Sequence, residues 1–272
     1  MQVESPTHEP SKPMPDGYIS VVDRSPSKLK TDIPILISSG WSGNPIILRD
    51  EIDEFLKSQR RVIALSFSGT RHSFSKTNYP ALEVGKAEAI LQLVIGKNIP
   101  QVDIVAHSEG AIGVVIAASL EPQRFRSLVL VDPAGFIGKD SFPKLAGRFS
   151  LKMIRDNFRL LYDSQTRRPL ARFLKEGTKF ALTHPVQCMQ EASAIPRVQM
   201  EDLLKEIHTA GVRIAIVSGV DDPVFPMQRL QQVIKSNMID GFVSVKGGHD
   251  ELTLQRKYIR AAEQLLTNLD KK

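Results

Sequence analysis

The sequence predicts an α/β chain: a mostly parallel central sheet, helices on both of its faces, and a helical insertion near the carboxyl ends of the strands. Three observations predict it. Short apolar runs at 33–38, 61–67, 102–105, 127–131, 213–218 and 241–245 alternate with helical stretches, and strands apolar on both sides belong to sheets covered on both faces. Between Val131 and Arg213 lie about eighty residues, more than one crossover helix requires. Finally, Ala106-His107-Ser108-Glu109-Gly110 sits between the apolar run 102–105 and the helical stretch 111–118, which puts a serine on a sharp turn from strand to helix.

The elements are read in order. Residues 17–23 alternate apolar and polar, as an edge strand does, and Arg24-Ser25-Pro26-Ser27 reads as the turn after it. The strand 33–38 runs into the glycine-rich loop 39–45, and a helix over 46–58 follows with Ile47, Ile52, Phe55 and Leu56 inward. Strand 61–67, a loop through Pro80 and a helix over 82–97 precede the elbow strand. Strands 127–131, 213–218 and 241–245 come next, and 252–269 is read as one amphipathic helix. The organisation expected is a disordered tail at 1–16, a core from 17–135 and 207–272, and a helical cap at 136–206.

Composition sets limits on function. Hydrophobic residues make up 42% of 272, enough for one large core. No run of eighteen apolar residues suggests a membrane span, and the first sixteen residues lack the pattern of a secretory signal or transit peptide. The single cysteine, Cys188, excludes an internal disulfide framework and a cysteine-based metal cluster. Cytoplasmic residence is the resulting expectation. The net charge of +6 is uneven: 134–180 holds eleven lysines and arginines against four acids. These bases lack the aromatic or zinc-ligand patterns of nucleic-acid modules, so no nucleic-acid partner is expected.

A serine on such a turn needs small residues two before and two after it, because strand and helix approach closely; Ala106 and Gly110 comply. With this pentapeptide the chain resembles the α/β-hydrolase superfamily, although the usual motif begins with glycine where Ala106 stands. The resemblance implies acyl transfer by a serine, a carboxylate and a histidine in that chain order. Asp221-Asp222-Pro223-Val224-Phe225-Pro226 follows the strand 213–218, and Gly247-Gly248-His249-Asp250 follows 241–245, so both candidates sit at strand carboxyl ends, where chemistry gathers in such sheets. His249 is the expected base, since two preceding glycines permit a tight turn. Asp222 is the expected acid from its spacing to Gly219 and Pro226; Asp221 is the fallback and Asp132 a distinct alternative. His107 is assigned to the other side of the turn and to structure, and His72, His184 and His208 lack a strand-end setting.

For the oxyanion, the resemblance implies two backbone N–H donors. Glu109, after the serine and at a helix N-terminus, supplies one; Trp41, in Ser39-Gly40-Trp41 where the family usually has His-Gly, supplies the other. The segment 66–73 only faintly resembles a further family motif. No metal or organic cofactor is implied. Epoxide and haloalkane chemistry is disfavoured, because those relatives carry aspartate where Ser108 stands.

In such relatives the insertion forms a cap over the site. Phe142, Phe149, Phe158, Tyr162, Phe173 and Phe180 supply apolar material for it. Lys144, Arg148, Lys152, Arg155 and Arg159 fall within roughly 80° of a helix, either a solvated outer face or a contact for anionic membranes. The expected partner is a small acyl compound, with lipid-like esters among the candidates. The leading reading is a serine esterase; thioesterase, lactonase, amidase, acyltransferase or perhydrolase chemistry, or a small-molecule receptor of the same fold, stand beside it.

Overall fold

A computed structural model describes residues 19–41, 43–44, 46–67, 79–138 and 140–269. The expected tail at 1–16 and most of the segment 66–73, including His72, lie outside them. Seven strands form one sheet: β1 (Ile19–Arg24), β2 (Ile35–Ser38), β3 (Val62–Phe67), β4 (Val102–His107), β5 (Phe125–Val131), β6 (Arg213–Gly219) and β7 (Gly241–Val245). Their spatial order is β1-β3-β2-β4-β5-β6-β7. Only β1 runs antiparallel, pairing with β3 at the edge as its alternating pattern predicts.

Alternate residues of each strand feed two separate cores. Leu36, Ile63, Leu65, Ile104, Leu128, Leu130, Ile214 and Ile216 point to one face, where they meet α2 (Ala81–Gly96), α3 (Gly110–Leu120), α7 (Glu201–Thr209) and α8 (Met227–Ile234). Ile35, Ile37, Val105, Val129, Ala215 and Val217 point to the other, against α1 (Arg49–Leu56) and α10 (Arg256–Leu269). Burying each such side chain contributes about 1.5–3 kcal/mol, which is why these runs tolerate no polar alternation. Asp103 is the exception in β4. It is fully buried, takes Arg60 and Arg126 as ion partners and accepts the Ser127 hydroxyl at 2.6 Å.

The insertion forms three helices, α4 (Phe142–Tyr162), α5 (Arg167–Thr183) and α6 (Pro185–Ala194). The next helix, α7, starts inside the stretch read as cap, but its Leu204 and Ile207 are buried in the same core as α3. The C-terminal stretch is not one helix. Gln255 takes an extended conformation that separates α9 (Glu251–Leu254) from α10, since the chain must leave the mouth of the sheet before it can lie along the sheet face. Among the described residues, no helix is long and apolar enough to cross a membrane.

Candidate active site

The loops after β2, β4, β6 and β7 meet at one edge of the sheet. Ser108 follows β4 directly and has φ +55°, a left-handed conformation that costs a non-glycine residue about 1–2 kcal/mol. Its N–H donates to the Val131 carbonyl at 2.9 Å, and its carbonyl accepts from Ala134 N–H at 3.1 Å. Close approach dictates the neighbours. A Cβ on Gly110 would lie 2.3 Å from the Ser39 carbonyl oxygen, and one on Gly40 would lie 2.7 Å from Ser108 Cβ. The methyl of Ala106, in contrast, fits into the core and is fully buried.

His249 follows β7 through Gly247, whose φ of +135° favours glycine and whose Cβ would collide with Glu251. Its Nδ1–H donates to Asp222 Oδ2 at 2.8 Å, and its Nε2 lies 2.8 Å from Ser108 Oγ. All three side chains are buried. Asp222 Oδ1 accepts Val224 N–H at 2.7 Å, which fixes the carboxylate plane. Asp221 is exposed. Asp132 stands beside the row rather than in it: φ is +42°, and its carboxylate accepts Gly219 N–H at 2.7 Å. Burial, with the neighbouring Asp222 charge, pushes its pKa well above the usual carboxylate range.

Burial works against the His249 cation, but Asp222 at hydrogen-bond distance, with Asp250 and Asp132 nearby, outweighs it and raises the pKa to about 9. His107 moves the opposite way, to about 4, through burial and the nearby His249. It is therefore a neutral imidazole at pH 7, and its Nε2–H donates to the His249 carbonyl at 2.9 Å. This corrects the assignment of His107 to the far side of the turn. The ring lies 5.0 Å from that of His249, centroid to centroid, and lines the same cavity. His107, His249 and Asp250, and equally Asp132, Asp222 and His249, bring potential metal-ligand atoms within 4.8 Å. Both sets centre on His249, whose two nitrogens are already engaged, so a metal there would break the row.

The residues expected to supply the oxyanion donors stand next to this point. Glu109 is the N-cap of α3, and Trp41 follows Gly40, which abuts Ser108; neither amide donates to another described backbone carbonyl. The Glu109 side chain reveals a feature that sequence reasoning missed. It is buried with Glu83 and Lys86 of α2 and Glu191 of α6, and Lys86 Nζ is ion-paired with Glu109, lies 2.8 Å from Glu191 and 3.6 Å from Glu83. One ammonium cannot balance three desolvated carboxylates. Burial and the Glu83 charge accordingly raise Glu109 to about 8 against the pull of Lys86. The available signal was Glu83 and Lys86 on the inward face of a helix otherwise lined by Val84, Ala87 and Ile90.

Above the row is a cavity of about 350 Å³, whose lining includes Trp41, Phe149, Phe173, Leu174, Met189 and Phe225, with Ser108 and His249 at its floor. Of the six cap aromatics, Phe142, Phe149 and Phe173 line it; Phe158 and Tyr162 face outward, and Phe180 stacks on His184. The basic series on α4 is mostly turned inward. Arg148 pairs with Asp140, Lys152 with Asp156 and Asp250, and Arg159 with Asp163 and Glu251, leaving Lys144 and Arg155 exposed. Lys152 and Arg159 thus clasp the cap to the residues immediately after His249.

Residues 33–251 match the alpha/beta hydrolase fold family. The chain belongs to that family and is an enzyme of the hydrolase class. No curated protein sequence matches it. Among solved structures it is similar to a carboxylesterase from Nitrososphaera gargenis, with 17% identity, TM-score 0.62, and 96% of this chain and 98% of that one covered. It is also similar to an enol-lactonase from Burkholderia xenovorans LB400 (15%, TM-score 0.67, 93% and 96% covered) and to a thermophilic esterase from Thermogutta terrifontis (16%, TM-score 0.65, 92% and 93% covered). At these identities the likeness concerns the fold.

Proposed function

We propose that the protein is a serine hydrolase that cleaves carboxylic esters through an acyl-enzyme on Ser108. One observation carries the reading: Asp222, His249 and Ser108 form an unbroken row, with 2.8 Å at each junction, beneath an apolar cavity. In this account neutral His249 takes the Ser108 proton as Oγ attacks the substrate carbonyl, and Asp222 stabilises the resulting imidazolium. The tetrahedral oxyanion is held by the amides of Trp41 and Glu109. Collapse expels the alcohol, which takes its proton from His249. Water, activated by the same imidazole, then releases the acid.

The cavity favours an apolar acyl group, since its walls are mainly aromatic and aliphatic. The similarity to proteins described as a carboxylesterase and an enol-lactonase fits the same bond type. Turnover of p-nitrophenyl esters of increasing chain length tests the reading. Ser108→Ala is expected to abolish turnover with the thermal unfolding profile retained; undiminished turnover by that variant excludes Ser108 from the chemistry.

A further inference from the structure

Helix α4 carries two opposed faces. One is the clasp, with Leu145 and Lys152 buried and Arg159 paired to Glu251. The other exposes Leu151, Ile154, Phe158, Leu161 and Tyr162, each between 50% and 75% accessible. At 100° per residue these five share an arc of roughly 100°, and the exposed cations Lys144 and Arg155 lie along one flank. Five large apolar side chains in one exposed row are unusual for a surface that stays in water.

Charge on the cap is equally one-sided. Exposed along α4 and α5 are Lys144, Arg155, Arg167, Arg168, Lys175 and Lys179, and none of these six is ion-paired with a described residue. Every acid between residues 140 and 194 is at least partly buried and partnered: Asp140 with Arg148, Asp156 with Lys152, Asp163 with Arg159, Glu176 with Asn44 at 3.2 Å, and Glu191 with Lys86. Folding therefore withdraws the negative charge and leaves apolar and cationic groups outside.

We propose that the α4 face docks onto an anionic phospholipid bilayer. Apolar side chains would enter the headgroup boundary while the flanking cations meet lipid phosphates, the arrangement by which amphipathic helices lie in an interface. A second copy of the chain is a poorer occupant. A two-fold contact sets the same patch against itself, and here that would press unpaired cations together. The docking face differs from the expected one, because Arg148, Lys152 and Arg159 are occupied internally; of the expected series Lys144 and Arg155 stay exposed, joined by Arg167, Arg168, Lys175 and Lys179. It does not depend on the chemistry at Ser108.

The test is co-sedimentation of the full chain with phosphatidylcholine vesicles, with and without phosphatidylglycerol. Binding is expected only with phosphatidylglycerol, weakening about tenfold as salt shortens the screening length from about 10 Å to about 3 Å. Ile154→Gln combined with Phe158→Gln, which keeps good helix formers on an exposed face, should weaken it by about tenfold or more. Lys144→Gln with Arg155→Gln should cost a similar factor. Both double variants should hydrolyse a soluble short-chain ester at the parent rate. Any of four results overturns the proposal: no binding to anionic vesicles, equal binding to neutral ones, unaltered binding by both double variants, or a parent dimer in sedimentation equilibrium that Ile154→Gln with Phe158→Gln dissolves.

Discussion

Replacing Gly40 by alanine tests how closely the loop after β2 must approach the nucleophile. The new Cβ would lie 2.7 Å from Ser108 Cβ and 2.9 Å from the His107 carbonyl oxygen. Ordinary contact needs about 3.5 Å, so the loop has to retreat by about 0.8 Å. Neither neighbour can yield cheaply, since both belong to the elbow, whose backbone is fixed by hydrogen bonds to Val131 and Ala134. Overpacking of this kind costs about 1–3 kcal/mol, within the stability of a typical domain, so the protein should remain folded with a modest drop in Tm. The retreat carries Trp41 N–H away from the oxyanion, and a misplacement near 1 Å or a lost donor costs about 100-fold in rate. Steady-state kinetics on a p-nitrophenyl ester, with calorimetry alongside, should show kcat about 100-fold lower in a folded variant. A kcat within about threefold of the parent refutes the placement of the oxyanion site.

Further outcomes concern pH, the buried charge cluster and the cap. Because the base works as the neutral imidazole and its pKa is raised to about 9, kcat/KM should climb with pH well beyond the ordinary histidine range. Asp222→Asn should pull that limb back toward lower pH while lowering the rate; a limb already complete by pH 7 in the parent contradicts the account. By linkage, the stability that the raised His249 pKa contributes is full below about 6.5, the unfolded value, and is lost as pH rises through about 9. Lys86→Met strands buried carboxylates and should destabilise by about 3–5 kcal/mol at neutral pH. Raised carboxyl pKa values favour the folded state at low pH, so this deficit, measured by urea unfolding, should shrink on acidification; a pH-independent deficit argues against charge as the cause. Lys152→Met frees Asp250 beside His249 and loosens the cap, and should reduce kcat/KM for esters that fill the cavity more than for acetate esters; equal loss for both speaks against the clasp.

Much of this was legible in the sequence because parallel strands buried on both faces must be continuous apolar runs, and 62–67 and 213–219 could not be read otherwise; 241–245, at the sheet edge, buries one face only. Glycine likewise marked the loops of Ser108, Asp222 and His249, since close backbone approach at Gly110 and Gly219 and the left-handed turn at Gly247 call for it. The interruption at Gln255 left no sign, as no proline or glycine marks it and apolar periodicity continues through it. Helix α8 carried a signal that the reading passed over: Pro226 at its start and the inward pair Leu230 and Val233. The roles of His107, Lys86 and Lys152 could not be read, because each depends on a partner 23 to 142 residues away in the chain. For the cap, composition gave the aromatics but not which side of α4 they would occupy.

The claim on which the account rests is that Ser108 is a nucleophile activated by His249. Mass-spectrometric mapping after treatment with a fluorophosphonate measures this directly. A single adduct on the peptide bearing Ser108 is expected, formed rapidly in the parent and lost in His249→Ala. An esterase-active parent that carries no adduct on Ser108, or labelling that survives undiminished without His249, contradicts it.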